Sequence, residues 1–177
     1  LIEHATYRNM ARSFRSILEM STGQLREMIA ANLTRWDYWN LKVILRAKTF
    51  GADVESIKED LVPAGKESAE FWNMLVSLDT VSDILDAFSK AEGVVFPASI
   101  VESFKSDGRL TALEDFLDKT YYQRLLDSID PSSKPTRLFK DFIRMEIDII
   151  NVETILKLKM ENVPGDAIMP FIIEGGK

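Results

Sequence analysis

The chain has 177 residues, of which 46% are apolar and 28% charged, so it can bury a sizeable core in one or two globular domains. Its net charge of −6 argues against nucleic acid as a main partner, and mildly against direct binding to anionic lipid, because both need a basic surface. It contains no cysteine, which excludes a disulfide framework and a thiolate metal site, and no apolar run approaches the ~18 residues that span a bilayer.

The first predicted element is a helix that runs from about Ile2 to Met20. Its apolar stripe recurs at helical spacing and comprises Tyr7, Met10, Phe14, Ile17 and Leu18. Arg8, Arg12 and Arg15 fall on another face, which could contact an acidic partner. A solvated face is the commoner outcome for such a charge pattern, and we favour it here.

A long helix is predicted next, over Gln24–Phe50. Apolar residues recur there at three- and four-residue steps without Pro or Gly, and about 28 residues would extend roughly 40 Å. Thr22 is a candidate cap at its start and Gly51 a candidate stop. Trp36 and Trp39 could form a hot spot for a partner, but such a pair is more often part of the core, and we favour the core.

Shorter helices are predicted to follow. Each has apolar residues at helical spacing and turn-forming residues at its ends, and Asp53 is a candidate N-cap for the first of them. The predicted segments are Asp53–Val62, Phe71–Leu78, Thr80–Lys90 and Ala98–Lys105. The β-like run Gly93–Pro97 is isolated and interrupted by proline, so we interpret it as a connector.

A second half of the chain begins at Arg109. A long stripe predicts a helix that carries Leu110, Leu113, Phe116, Leu117, Tyr121, Leu125 and Ile129. Because Tyr121 and Tyr122 are adjacent and cannot face the same way, one of them is expected in an inter-helix or inter-subunit contact. The turn Asp130–Pro135 then leads into a helix from Thr136 to about Met160, and an irregular short helix follows. The inward positions predicted for that long helix are Phe139, Phe142, Ile143, Ile147, Ile150, Asn151, Ile155 and Leu158.

The two halves of the chain repeat each other. Trp36–Lys48 returns, altered, as Ile147–Lys159, and the match runs without a gap from 37–66 to 148–177. Eight of the thirty aligned pairs are identical, where about two would be expected by chance. The identical pairs are Asp37/Asp148, Asn40/Asn151, Ile44/Ile155, Leu45/Leu156, Lys48/Lys159, Ile57/Ile168, Gly65/Gly176 and Lys66/Lys177. Self-similarity at one period indicates repeated structural units, so we predict an all-α fold built from repeated helical bundles.

Identical polar residues lie on one narrow face of each long helix. Half-buried polar groups must be hydrogen-bonded to be tolerated, so we predict a packing device that holds each helix to a glycine-containing segment downstream. A binding site is the alternative, and the appearance of one set twice in the chain favours the structural role. The predicted set is Asp37, Asn40, Lys48 and Gly65 in the first half and Asp148, Asn151, Lys159 and Gly176 in the second.

The residue inventory predicts no catalytic, cofactor-binding or metal-binding residues. The one histidine, His4, cannot supply a di-iron or zinc ligand set, and it suggests no Ser/His/Asp arrangement. Gly-rich phosphate loops and the EF-hand calcium loop are absent from the sequence. We therefore expect a protein that is not an enzyme and has no cofactor and no small-molecule substrate.

A run that starts at Asp37 resembles the repeat signature of a known family. The run reads Asp-x-x-Asn-Leu-Lys-x-Ile-Leu-Arg-x-Lys, and a Pro/Gly-rich segment closes it about fifteen residues later. The family is that of the C subunit of the archaeal-type rotary ATPase (ATP synthase), to which the d subunit of the eukaryotic vacuolar ATPase is related. Leu113–Tyr122 resembles the family as well. The second copy departs from the first at Glu153 and Lys157, which replace a lysine and an arginine, so the positive charge of Lys42 cannot be essential to every repeat.

The resemblance implies a funnel of three helical repeats that sits on the membrane proteolipid rotor ring and receives the central-stalk subunits D and F. It implies a non-catalytic rotor subunit, peripheral on the cytoplasmic face of the membrane, that couples ATP chemistry elsewhere to proton or sodium transport. Residues 1–108 are expected to form one repeat and residues 109–177 a second, truncated one, in a fragment of a longer protein. The alternative is a cytosolic helical scaffold or adaptor, although solenoid units of about 34–47 residues are far shorter than the spacing between the two copies.

Overall fold

A computed structural model describes residues 2–177 of the chain, with side chains described from Thr6 onward. Within this range the chain is helical and has no β-strand, which confirms the all-α fold class. The helices are α1 (Ile2–Met20), α2 (Gly23–Leu33), α3 (Arg35–Phe50), α4 (Val54–Asp60), α5 (Ala69–Ser77), α6 (Val81–Glu92), α7 (Ala98–Asp107), α8 (Thr111–Ser128), α9 (Lys134–Met160) and α10 (Gly165–Ile168), followed by a 3-10 helix (Met169–Phe171). The side chain of His4 lies outside the described residues.

The chain divides into two compact units, Leu1–Glu114 and Asp115–Lys177. This division falls in the first turn of α8. The boundary predicted from the sequence, between Gly108 and Arg109, lies in the loop that precedes the same helix. The assignment of residues 1–108 and 109–177 to two repeats stays a prediction.

The core of the first unit is organised around α3. Leu41, Ile44 and Leu45 of this helix are fully buried, and α3 packs against α4, α5 and α6. The ring of Tyr38 meets the ring of Phe88 on α6 edge-on, with 5.8 Å between centroids. A smaller cluster joins α1 to the segment after α4; it consists of Ala11, Val62 and Ala64, with Tyr7, Met10, Phe14 and Trp36 packed against it.

The second unit has its core between α8 and α9. Leu117, Ile143 and Ile147 are fully buried. Tyr121 and Tyr122 are both buried, and the hydroxyl of Tyr122 donates a hydrogen bond to Glu146 of α9 at 3.1 Å. Tyr122 therefore makes the inter-helix contact that the sequence predicted for one member of this pair.

Several predicted helix ends are confirmed by local geometry. Asp53 caps α4, since its carboxylate accepts a hydrogen bond from the backbone N–H of Ser56 at 3.0 Å; hydrogen bonds from the Ser56 hydroxyl and this N–H lower the pKa of Asp53. Gly51 ends α3 in the left-handed conformation at φ 72°. Thr22 occupies the predicted N-cap position of α2 in an extended conformation, although its side chain makes no cap hydrogen bond.

The prediction of one unbroken helix over Gln24–Phe50 was also wrong, because the chain breaks at Thr34. The Thr34 hydroxyl donates to the carbonyl of Ala31 at 2.7 Å, and its backbone N–H donates to the same carbonyl at 3.3 Å. Both bonds tighten the turn relative to an α-helix, so α3 starts afresh at Arg35. Hydrophobic periodicity passes smoothly through such a tight turn, which is why the sequence pattern did not reveal it.

Trp36 and Trp39 differ in burial. Trp36 is half-buried against Phe14 and the small cluster, whereas 38% of Trp39 is exposed. The Trp39 ring contacts the Trp36 ring in an edge-on arrangement, with 6.4 Å between centroids. The prediction that both tryptophans belong to the core was therefore wrong for Trp39.

The predicted inward stripe of α9 is only partly inward. Ile143 and Ile147 are buried, but Phe142 and Ile155 are 57% and 39% exposed. Periodicity identifies the apolar positions of a helix, but it does not show how many of its sides are covered. The run Gly93–Pro97 forms a connector as predicted, and a short α-helix plus a 3-10 helix stand where the irregular short helix was expected.

Candidate functional site

The buried amide of Asn40 fastens α3 to the segment that follows α4. Its Nδ2 donates to the carbonyl of Val62 at 2.9 Å, and its Oδ1 accepts from the backbone N–H of Val62 at 2.8 Å. Both residues are completely buried. One side chain thus satisfies both hydrogen-bonding groups of a backbone unit that lies outside any helix.

Asp37 lies one turn earlier on the same face and binds the next part of that segment. Its carboxylate accepts from the backbone N–H of Lys66 at 2.7 Å and from that of Glu67 at 3.2 Å. Asp37 is only 1% exposed, and burial raises the pKa of its carboxyl from 3.8 to about 7. The two backbone bonds favour the charged form and oppose this rise, while the nearby carboxylates of Glu92 and Glu67 add to it.

The rim of this site carries a lysine and two glutamates. The ammonium of Lys66 lies 3.0 Å from Glu92 and 3.7 Å from Glu67, and the hydrogen bond to Glu92 raises the pKa of Lys66. Burial, followed by the neighbouring Glu92, raises the pKa of Glu67. The acidic groups around Asp37 therefore share one cation, Lys66. This rim is in contact with solvent on one side.

The same bonds recur in the second half of the chain. Asn151 Nδ2 donates to the carbonyl of Ile173 at 2.9 Å, and Asn151 Oδ1 accepts from the N–H of Ile173 at 2.9 Å. The carboxylate of Asp148 accepts from the backbone N–H of Lys177, at 3.2 and 3.1 Å for its two oxygens. We call Asp37, Asn40 and the backbone of 62–66 the first clamp, and Asp148, Asn151 and the backbone of 173–177 the second clamp.

A glycine allows each carboxylate to reach the backbone. A Cβ added to Gly65 would lie 2.1 Å from Asp37 Oδ1, and one added to Gly176 would lie 2.0 Å from Asp148 Oδ1. Both separations are far below van der Waals contact, so any side chain at either position would push the carboxylate and the loop apart. The identity of these glycines across the two halves therefore has a steric cause.

The two predicted lysines lie apart from the clamps. Lys48 and Lys159 are in the last turns of α3 and α9, where a cation complements the helix dipole. Lys159 Nζ approaches Gly165, at the start of α10, to within 3.7 Å of where a Cβ would stand. The structure thus groups the aspartate, asparagine and glycine of each predicted set and leaves the lysine at the helix end.

Sequence reasoning missed two contributors. Arg144 donates from Nε and Nη2 to the carbonyl of Gly176, at 3.1 and 2.8 Å, which adds a third tie to the second clamp. The equivalent position in the first half of the chain is Leu33, so the repeat offered no signal for it. Glu92 joins the rim of the first clamp from α6, and nothing in the local sequence indicates this approach.

The two clamps differ in their access to solvent. In the first, Asp37 and Asn40 are buried almost completely, at 1% and 0% exposure. In the second, Asn151 is half-buried and Asp148 is only partly buried. Water can therefore replace part of the bonding in the second clamp but not in the first, and the first is expected to contribute more to stability.

The side chains of the described residues include no cluster of three or more His, Asp or Glu residues that could hold a metal ion. Among the same residues, no helix combines the length and apolar character that a membrane crossing requires. The buried polar side chains described are Asp37, Asn40 and Thr136, and each of them hydrogen-bonds to the main chain.

Comparison with known proteins places the chain in a family. The model of the ATP synthase (C/AC39) subunit family matches residues 1–177. The C subunit of the A-type ATP synthase of Archaeoglobus fulgidus is 39% identical over 176 residues, which covers 99% of this chain and 49% of that protein. The protein of the same name from Methanosarcina acetivorans is 39% identical over 178 residues, and that from Halobacterium salinarum 33% over 182 residues, with 99% of this chain covered in both cases and 48% and 51% of the relatives.

The chain spans about half the length of the curated relatives that it matches. No solved structure matches it. The match of the family model extends over both units and both clamps, from the first residue to the last. The chain therefore belongs to the ATP synthase (C/AC39) subunit family.

Proposed function

We propose that this chain is part of a non-catalytic central-stalk subunit of an A-type rotary ATP synthase. In this role it couples the shaft of subunits D and F to the proteolipid ring, for proton or sodium transport linked to ATP. Support comes from the family match over the whole chain and from relatives named as C subunits of A-type ATP synthases. The location that follows is peripheral, on the cytoplasmic face of the membrane.

The observation that carries this proposal is that buried polar side chains bind the backbone. Asp37, Asn40 and Thr136 all bind backbone groups, and the two clamps tie long helices to the segments that follow them. A subunit that passes rotation from one partner to another needs stiffness and broad contacts rather than reactive groups. Buried side chains that bond to the backbone supply that stiffness, because each fixes one arrangement of helix and loop.

The duplicated clamps also support a proposed division into structural repeats. We propose that residues 1–108 are one repeat and residues 109–177 the start of a second, each held by Asp–Asn bonding to a glycine-containing segment. No cofactor and no small-molecule substrate enters the proposal.

A binding experiment tests the proposal. Tagged chain is mixed separately with purified A-type D/F heterodimer and with detergent-solubilised proteolipid ring, and bound material is measured; ATP hydrolysis by the chain alone is measured in parallel. We expect retention of at least one of the two partners and no hydrolysis above background. Circular dichroism shows that the tested chain is folded, and Asn40→Ala, which disrupts the first clamp, serves as a destabilised control. A folded chain that retains neither partner, or that hydrolyses ATP, would overturn the proposal.

A further inference from the structure

Three arginines form an exposed row along α1. Arg8, Arg12 and Arg15 follow one another at steps of four and three, so they share one narrow face over about 10 Å of the helix. All three are exposed, and none of them forms an ion pair with any residue that the structure describes. The sequence pattern alone favoured a solvated face, but two features of the first unit favour a contact surface.

The first feature is the separation of charge around this row. Residues 4–36 contain five arginines and only two glutamates, whereas the whole chain has a net charge of −6. No acidic residue stands between Glu3 and Glu19, so α1 offers Arg8 and Arg12 no carboxylate at the three- and four-residue spacings that allow pairing within a helix. The row is therefore a basic strip on an acidic protein, and it attracts carboxylates of other molecules.

The second feature is a cavity of about 190 Å³ at the Arg8 end of the row. Arg8 and Lys58 of α4 contribute basic groups to it and Glu59 an acidic one, while Leu61 and Trp72 contribute apolar surface. Small-molecule pockets usually measure about 300–1,000 Å³, so this cavity suits a single side chain of a partner rather than a free ligand. An apolar side chain placed there would lie against Trp72, whose ring the fold already holds in place at 2% exposure.

We infer that the arginine row and this cavity together form a docking surface for an acidic helix of a partner protein. Carboxylates spaced by four and three residues on that helix face the three guanidinium groups, and an apolar side chain one turn beyond them enters the cavity. Exposed ion pairs are individually weak, so the row sets the register of the partner and the apolar side chain anchors it. A protein is favoured over an anionic membrane, because the net negative charge of the whole chain opposes a broad approach to anionic lipid. The inference is independent of the rotary function proposed above.

A designed peptide tests this surface. A fluorescein-labelled peptide of about 18 residues, long enough to form a helix, carries glutamates at steps of four and three and a leucine one turn beyond the last glutamate. A second peptide of the same composition has its glutamates distributed around the helix. Fluorescence anisotropy is expected to show roughly fivefold tighter binding of the matched peptide to the chain. Replacement of its leucine by serine is expected to weaken binding about threefold or more, because the cavity then receives a polar group.

Two matched variants of the chain identify the residues responsible. One removes the row and carries Arg8→Gln, Arg12→Gln and Arg15→Gln. The other removes as many exposed positive charges from other parts of the first unit and carries Lys90→Gln, Lys105→Gln and Arg109→Gln. The first is expected to bind the matched peptide about tenfold more weakly, since three exposed ion pairs together supply roughly this factor, and the second about twofold more weakly or less. Circular dichroism is expected to show both variants folded, because all six side chains are exposed.

The outcomes that would overturn the inference are distinct. Equal binding of the two peptides would show that the spacing of the row is not recognised, and equal effects of the two variants would show that only net charge matters. An unchanged affinity after the leucine substitution would overturn it as well, because the cavity would then play no part. Vesicles of equal parts phosphatidylcholine and phosphatidylserine form the last arm. Vesicle binding that the row variant abolishes, without binding of the matched peptide, would identify a lipid surface as the partner instead.

Discussion

Replacement of Asn40 by alanine is the sharpest test of the first clamp. The substitution removes the acceptor of the Val62 N–H and one of the donors to the Val62 carbonyl, at a place that solvent does not reach. The carbonyl keeps a bond from the N–H of Ala64 at 2.9 Å, so the main loss is at the N–H. The variant thus leaves one buried backbone donor without a partner.

The expected destabilisation follows from these contacts. An unsatisfied buried donor costs about 1–3 kcal/mol, and the second lost bond adds about 1 kcal/mol, so Asn40→Ala should lower the free energy of unfolding by about 3 kcal/mol. With a urea slope near 2 kcal/mol/M this moves the midpoint down by about 1.5 M. The matched variant Asn151→Ala should cost about 1 kcal/mol, because Asn151 is half-buried and water can take over its bonds.

The chain contains its own reporter for this comparison. Its three tryptophans, Trp36, Trp39 and Trp72, all lie in the first unit, so tryptophan fluorescence follows the unfolding of that unit alone. Circular dichroism follows the helices of both units. Asn40→Ala should shift the fluorescence transition, whereas Asn151→Ala should shift only part of the dichroism transition. Equal and small effects of the two variants, below about 0.5 kcal/mol, would refute the argument that burial sets the strength of the clamps.

Three further outcomes are expected from the same geometry. Burial raises the pKa of Asp37 from 3.8 to about 7, so between these pH values the folded state holds a proton that the unfolded state has released. The free energy of unfolding should therefore fall as pH rises from about 4 to about 7 and level off above that. The full span is about 4 kcal/mol, and urea titrations of Asp37→Asn against the parent should show the slope largely removed; an unchanged slope would assign it to other groups. Gly65→Ala places a Cβ 2.1 Å from Asp37 Oδ1 and should cost about 2–4 kcal/mol in urea unfolding. Gly176→Ala should cost less, because the Asp148 side chain can turn toward water. A Gly65→Ala variant as stable as the parent would show that the loop moves freely to accommodate the methyl group. Arg46→Lys breaks the two-pronged bond to Glu114, at 2.5 and 2.9 Å. It should nevertheless cost under about 1 kcal/mol in urea unfolding, because half of the Arg46 side chain is exposed, and a loss above about 2 kcal/mol would contradict this argument from exposure.

The sequence was informative about the fold wherever local chemistry decides the outcome. The Asp53 cap and the Gly51 stop depend on near neighbours, and the structure agrees with both. The proximity of Asp37, Asn40 and Gly65 could also be predicted from the sequence. Residues that are identical in both halves at one fixed spacing indicate a shared long-range contact, which a single copy would not reveal.

The features that sequence reasoning missed depend on tertiary contacts. At the break, the Thr34 hydroxyl donates a hydrogen bond to the carbonyl of Ala31. Hydrophobic periodicity gives no information about such a bond. The roles of Arg144 and Glu92 depend on which backbone and side chains approach them in space. The exposure of Phe142 depends on whether a second layer of helices covers α9. Residue pattern alone cannot distinguish a covered apolar face from an open one.

The central claim is that the same set of hydrogen bonds ties a long helix to the segment that follows it within each unit. Amide hydrogen exchange at Val62 and Ile173 tests this claim most directly. Both amides lie outside the helices, and an asparagine oxygen accepts each of them, at 2.8 and 2.9 Å. Slow exchange is expected at both, slower at Val62, with Asn40→Ala releasing only Val62 and Asn151→Ala releasing only Ile173. Exchange at the rate of an open loop at either position in the unmodified chain would contradict the claim.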